Sequence, residues 1–358
     1  GVRADFISEN DANFSIFLCE TSVASAICSI RRTNRLGKIF IMAEVQAFQA
    51  WRYDVGQVGD LSDVVAPPYD VIDETFQDNL YKAHPCNCVR VDLNRAEPED
   101  AGVEDRYERA AKYMKQWQQD GVLIREHEDS LYVYHQEFEW EGTKYVRKGF
   151  LGRLKLEEFG KGNVFPHEQT MPGPKKDRLA LMYACQANLS AIFGLYPDRE
   201  NEAQAVLEDA AISLTPLVAT DHLGVVHRLW PVSDPAAIAK VQEILADKPI
   251  FIADGHHRYE TSCNYKNELA EAGQLNETSP ANHTLMMFCG MEDPGLAILP
   301  THRLVSGFPK LSTDDIKAAL GDHFSIEEVD TADAAWEVME ADGGQEVFGI
   351  GTPADGKW

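Results

Sequence analysis

Residues 249–270, PIFIADGHHRYETSCNYKNELA, constrain this chain more than any other stretch. Pro249 can open a strand, and Ile250, Phe251 and Ile252 form an apolar run too short to be a helix alone. Gly255 marks a turn or a close backbone approach, and a helix can begin directly after it. The free amides and positive end of that helix favour an anion. Arg258 adds a planar fork matched to phosphate or carboxylate. Asp254 could hold a metal or orient a histidine. His256 and His257 are adjacent, so on a regular helix they do not share a face, and at most one points into a site. The competing structural reading is a capped helix whose Arg258 simply pairs with Asp254.

Two other polar stretches invite the same question. Residues 163–178 include FPHEQT and PGPKKDR, whose prolines and glycine argue against continuous helix. There His167 and Glu168 form a candidate base and partner, or Glu168 binds Mg²⁺ beside a nucleotide. Lys176 and Arg178, at the opening of the helix that follows, could neutralise phosphate charge. A zinc-protease motif is absent, because the second histidine it needs would fall at position 171, which is Met171. Near the C-terminus, Thr301, His302 and Arg303 follow Pro300 as a polar group at a strand end. For both stretches the alternative is polar side chains that satisfy one another. Walker and dinucleotide glycine patterns are absent.

The remaining pattern is that of a mixed α and β protein. Residues 64–66 read as a short strand closed by Pro67-Pro68, a stiff loop that can present Tyr69 and Asp70 to a pocket. Residues 73–83 read as a helix ended by His84-Pro85, and 88–93 (CVRVDL) as a strand with Arg90 a possible ligand-binding charge. Residues 104–119 read as a helix with a core stripe of Tyr107, Ala110, Met114 and Trp117. Residues 130–138 and 144–156 read as a hairpin across Glu141-Gly142. Asp234-Pro235 reads as an N-cap and first-turn pair.

A formal charge of −25 repels nucleic-acid backbones, and no sustained Lys/Arg stripe offsets it. Nucleic acid is therefore not the expected partner. Seven cysteines, scattered apart from Cys86 and Cys88, fit free thiols in a reducing, cytoplasmic compartment. No run approaches the ~18 apolar residues of a membrane span.

FIADGHHRYET resembles a signature of the family called domain of unknown function 1015. So do VVAPPYDVI, FPHEQT, KDRLA, ANLSAIFGLY and LPTHRL, in the expected order over residues 42–305. That resemblance implies three parts: an atypical extension at 1–41, a main body at 42–305, and a segment at 306–358 that relatives continue beyond. The Asp254-Gly255-His256-His257-Arg258 block also resembles, more distantly, the phosphate box of the ParB/sulfiredoxin-like superfamily. That superfamily includes chromosome-partition nucleotide-binding proteins, sulfiredoxin and kinases acting on free serine. This second resemblance implies phosphate contacts from Gly255, His256, His257 and Arg258.

The expected fold class is α+β, with mixed or antiparallel sheets, packed helices and a ParB/sulfiredoxin-like core. The expected function is a nucleotide-dependent phosphotransferase or phosphohydrolase acting on a small phosphorylated or hydroxyl-bearing metabolite. ATP, ADP or CTP with Mg²⁺ would be the cofactor, Glu168 and Asp254 the metal ligands, and Glu168, His167, Asp70 and Asp254 the catalytic candidates. Lys176, Arg178, His302 and Arg303 would offset phosphoryl charge. A non-catalytic nucleotide- or metabolite-binding regulator is the alternative, and a nucleic-acid-binding protein or nuclease the third reading.

Overall fold

The structure, a computed structural model, describes residues 16–20, 43–140, 142–167, 172–297, 301–305, 312–321, 324–341 and 347–352. Glu168 and most of the 1–41 segment lie outside the described residues. After strand β1 (Ile16–Glu20) come β2 (Val45–Gln46), β3 (Trp51–Tyr53) and helices α1 (Val55–Val58), α2 (Glu74–Ala83), α3 (Val89–Asp92) and α4 (Glu104–Gln119). The middle of the chain supplies β4 (Leu123–Arg125), β5 (Leu131–Trp140), β6 (Thr143–Lys155), β7 (Val164–Phe165), α5 (Pro172–Cys185) and β8 (Ile192–Tyr196). Next are α6 (Glu202–Ala211), β9 (Leu217–Thr220), β10 (Val226–Val232), α7 (Pro235–Leu245), β11 (Ile250–Asp254), α8 (His256–Glu271) and β12 (His283–Gly290). The chain closes with β13 (Thr301–Val305), α9 (Thr313–Leu320), α10 (Ala332–Ala341) and β14 (Ile350–Gly351).

These elements form two compact units, one of residues 38–296 and one of residues 1–37 with 297–358. In the smaller unit β1 pairs antiparallel with both β13 and β14. The larger unit is built on one mixed sheet in the order β7-β11-β8-β12-β6-β5-β10-β9, with β2 also on β6. The β11–β7 and β12–β8 pairs are parallel and the other pairs antiparallel. The expected mixed α+β class is therefore observed. No described helix is long and apolar enough to cross a membrane.

Alternation along β5 and β6 sends Leu131, Val133, Phe150 and Leu154 into the core, where they meet Ile192, Ile250, Ile252, Met286 and Phe288. Leu207, Val241 and Leu245 from α6 and α7 join the same cluster. Gly149 is a glycine for a local reason: a Cβ there would lie 2.4 Å from the Phe288 carbonyl.

Several expectations need correction. Residues 88–93 are not a strand; they carry the one-turn helix α3, because six residues of short apolar alternation cannot separate the two states. Buried Asn87 decides the matter, with its Oδ1 accepting from the Val89 amide at 3.0 Å. Its Nδ2 donates to the carbonyls of Asp63 and Val65, which leaves 64–66 as irregular chain rather than a strand. Arg90 lies 4.2 Å over the Tyr81 ring and donates to the Tyr81 carbonyl, a packing role. Helix α5 begins at Pro172, ahead of Lys176 and Arg178. A proline in the first turn loses only an amide that has no helical partner there.

His283, at the start of β12, gives the fold a specific acid response. Both ring nitrogens are buried without a hydrogen-bond partner among the described residues. Burial, aided by the Arg153 guanidinium, pushes its pKa down to about 4. The folded state thus disfavours the imidazolium, so the contribution is present above the ordinary value of 6.5 and is lost as pH falls from there through about 4. His283→Phe should flatten the stability–pH curve in that window, by about 1–2 kcal/mol after allowance for partial solvent exposure. Urea unfolding at pH 7 and pH 4.5 measures this; equal acid sensitivity in both proteins would refute it.

Candidate functional site

The 254–258 corner lies where β11 leaves the sheet. A register shift between Ile252 and Asp254 loosens the pairing with β8 just before the turn. Gly255 then takes φ +91°, a left-handed conformation that L side chains rarely adopt, and starts α8 as its N-cap. Gly255 has no side chain to cap the helix start. A Cβ on Gly255 would lie 2.9–3.0 Å from the Arg258 guanidinium. The glycine therefore both permits the turn and makes room for Arg258 to fold back over it.

Arg258 donates to the Ala191 carbonyl and to Asp254 Oδ2. Its side chain is 15% exposed and that of Asp254 63%. The pairing anticipated from sequence thus exists, but its acidic member stands in solvent. An incoming anion can displace an exposed carboxylate from a largely buried guanidinium at small cost.

His167 follows β7, the neighbour of β11. Its Nδ1 donates to the Ile252 carbonyl at 2.7 Å, which leaves Nε2 as the basic nitrogen of the neutral ring. His256 is buried and lies edge-on to His167 at 4.4 Å between centroids. Its Nε2 accepts from the His167 amide at 3.3 Å. Of the adjacent histidines, His256 is thus the one turned inward beside His167.

Beside the corner, between α5 and α8, a cleft of about 40 Å³ opens at the sheet end where β8 and β12 begin. Arg178 and Arg258 supply its two cations, and Asp92 its carboxylate. Asn188, Ser190, Thr261, Ser262 and Thr284 add amide and hydroxyl groups. Thr261 is 1% exposed, and its Oγ1 has no hydrogen-bond partner among the described residues. Ser262 Oγ, by contrast, bonds the Arg258 carbonyl and the Thr284 hydroxyl.

Arg178 is held firmly. Its Nη2 meets Asp177 Oδ2 at 2.7 Å, its Nη1 meets the Asp92 carbonyl at 2.8 Å and Oδ1 at 3.2 Å, and its guanidinium lies 4.0 Å over the Tyr69 ring. Helix α4 braces the far side, because Arg106 and Tyr107 both reach Asp177 Oδ1. Burial raises the Asp177 pKa, but the Arg178 guanidinium and the Tyr107 hydrogen bond more than offset it, so the net shift is downward. Burial prevails for Asp92, whose pKa is raised despite Arg178 and Arg258. The cleft therefore has one firmly anionic support behind it and one weaker acid in its wall.

The structure gathers Asp254, Gly255, His256, Arg258, Arg178 and His167 into the larger unit, with Tyr69 packed on Arg178. Asp70 is exposed on the 3-10 turn Tyr69–Val71. Lys176 is exposed, whereas Lys175 ties α5 to α8 through Glu260 at 2.7 Å. His302 and Arg303 belong to β13 of the other unit, paired in register with Cys19 and Leu18. Asp92, Thr261 and Thr284 are the residues that sequence reasoning missed. No motif announces Asp92, and Thr261, although one helical turn beyond Arg258, shows nothing of its role in the sequence.

Among the described residues, no three His, Cys, Asp or Glu side chains are grouped to hold a metal. Among the described cysteines, burial pushes the thiol of Cys185 up to about 11, and those of Cys88, Cys263 and Cys289 to about 12, away from an activated thiolate.

The chain belongs to the family described as Protein of unknown function (DUF1015), which matches residues 45–355. No curated protein and no solved structure matches it.

Proposed function

We propose that this chain acts on phosphoryl groups of a small metabolite, as a nucleotide-dependent phosphotransferase or a phosphohydrolase. The observation that carries the reading is the convergence of Arg178 and Arg258, from two helices, on one polar cleft beside the N-terminus of α8. Phosphates would lie at the 254–258 corner, against the first-turn amides of α8, with Arg258 released from Asp254. The likeness of this block to the ParB/sulfiredoxin-like phosphate box supports that placement. The cleft is far below the ~300 Å³ of an ordinary ligand pocket, so a nucleotide's base and sugar would lie outside it.

Phosphoryl transfer needs positioning and charge stabilisation more than covalent chemistry. Arg258 would meet the transferred group, and Arg178 would fix the cleft wall. His167, with Nδ1 anchored on Ile252, would take the acceptor proton at Nε2. Glu168 and Asp70 remain proposed alternatives for that step. A nucleotide-borne Mg²⁺ would find Asp254 as its described carboxylate, and the present site supplies no further described ligand set for it. The regulator reading draws on a different fact: each guanidinium already has protein partners, as in a site that binds without turnover.

Arg258→Ala should weaken ATP, ADP or CTP binding by about ten- to a hundredfold, the worth of a charge-assisted hydrogen-bond pair. Titration calorimetry across these nucleotides and inorganic phosphate, with thermal melts to confirm folding, checks this. Undiminished binding by a folded Arg258→Ala protein would reject the corner. Turnover that survives His167→Ala but not Glu168→Ala would move the base to Glu168.

A further inference from the structure

We infer that the hollow between α6 and strands β5 and β10 is a binding site for a small primary amine, an ammonium group on a short apolar body. The inference does not rest on the phosphoryl reading, because the hollow shares no lining residue with the cleft beside Gly255. Its volume of about 300 Å³ is that of an ordinary small-molecule pocket, where the cleft has only about 40 Å³. Much of the lining is apolar. Val133 on β5 and Ala211 on α6 are buried, and the half-buried Trp230 on β10 meets His135 in a T-shaped contact at 4.7 Å. Ile212 and Leu214 complete it and are exposed, Ile212 by 86%, more than any other large apolar side chain described. Hydrocarbon lying there would take from water a surface that the fold leaves wet.

Charge selects the polar end of the ligand. Glu208 and Asp209 on α6 bring two carboxylates to the lining, and no Lys or Arg belongs to it. Lys148 and Arg228 flank His135 in register on the neighbouring strands. Lys148 lies 3.6 Å from Glu208 Oε2, and Arg228 is engaged by Glu137 at 2.7 Å. Counting both, three carboxylates stand against two cations, a formal sum of −1 with His135 uncharged. Asp209 is the remainder: it is exposed and has no ion-pair partner among the described residues. The overall charge of −25 adds a field of the same sign. Glu208 supplies an acceptor. His135 Nε2 donates to its Oε1 at 2.5 Å, and Gln204 Nε2 donates to the same oxygen at 2.7 Å. The described partner of Oε2 is the Lys148 ammonium, too far for a hydrogen bond, so Oε2 keeps its capacity for a ligand N–H. Burial acts to raise the Glu208 pKa, but the two hydrogen bonds more than offset it and bring the value down to about 2, so the acceptor is ionised at neutral pH. An ammonium there would donate to Oε2, meet the charge of Asp209 and gain from the Trp230 ring. The same two carboxylates repel an acid group, so the ligand carries none.

Benzylamine, benzyl alcohol and benzoate are close in size and differ in charge. The test is NMR titration of the full chain with each, near pH 8, above the ordinary histidine range. The indole N–H signal of Trp230, assigned through Trp230→Phe, reports from the hollow. Benzylamine should shift that signal and bind at least about tenfold more tightly than benzyl alcohol, and benzoate should leave it unmoved. The double variant Glu208→Gln with Asp209→Asn, which keeps both shapes, should weaken benzylamine about tenfold, spare benzyl alcohol and leave ADP binding unchanged. Asp209→Asn alone, at an exposed helix position, should weaken benzylamine about threefold without disturbing the fold. Equal affinity for the amine and the alcohol would overturn the inference, as would undiminished benzylamine binding by the folded variants. A wild-type dimer that Ile212→Asp dissociates in sedimentation would also overturn it, because a second copy would then cover the hollow.

Discussion

Arg178→Ala is expected to lower the free energy of unfolding by about 3–5 kcal/mol, as when one partner is removed from a buried ion pair. Arg178 is only 8% exposed and serves Asp92, Asp177 and the Tyr69 ring at once. Its loss leaves Asp92, already a weakened acid through burial, without its nearest cation. The Asp177 carboxylate keeps Arg106 at 2.6 Å, so the damage should centre on Asp92. Adding Asp92→Asn to Arg178→Ala should therefore restore part of the loss, whereas Asp177→Asn should not. Urea unfolding of the three proteins decides; a loss below about 1 kcal/mol would mean that water solvates the pair.

Phe150→Ala should cost a similar ~3–5 kcal/mol, by loss of buried area and creation of a cavity. Phe150 is fully buried on β6, stacked on Phe288 at 5.1 Å and edge-on to Tyr196 at 6.3 Å. Its strand neighbour Val146 is 39% exposed, and Val146→Ala should change stability by no more than about 0.5 kcal/mol. Equal losses at the two positions, which share a face of β6, would contradict the fall in burial along that face from the core toward the hairpin end.

Local chemistry explains which features could be read from sequence. The helix at Glu104–Gln119, the hairpin across Gly142 and the Asp234 cap follow from periodicity and turn residues, and each is observed. The β11–Gly255–α8 unit was equally legible, since an apolar run, a glycine and a polar helix start leave little choice. Residues 88–93 were misread because their state depends on Asn87, whose side chain bonds carbonyls more than twenty residues away. The cleft has the same origin. Asp92 on α3 reaches Arg178 only because α3 and α5 meet in space, and no spacing in the sequence records that. Thr261 was overlooked because a buried threonine on a helix gives no sign of lacking a partner until its surroundings are known.

An anion is expected to settle against the turn at Gly255 and to draw Arg258 away from Asp254. A crystal structure with ADP bound tests it most directly. A terminal phosphate oxygen should lie about 3 Å from the Arg258 guanidinium and from the first amides of α8, with Asp254 turned away from Arg258. ADP bound elsewhere, with Arg258 still closed on Asp254 and the Ala191 carbonyl, would contradict it.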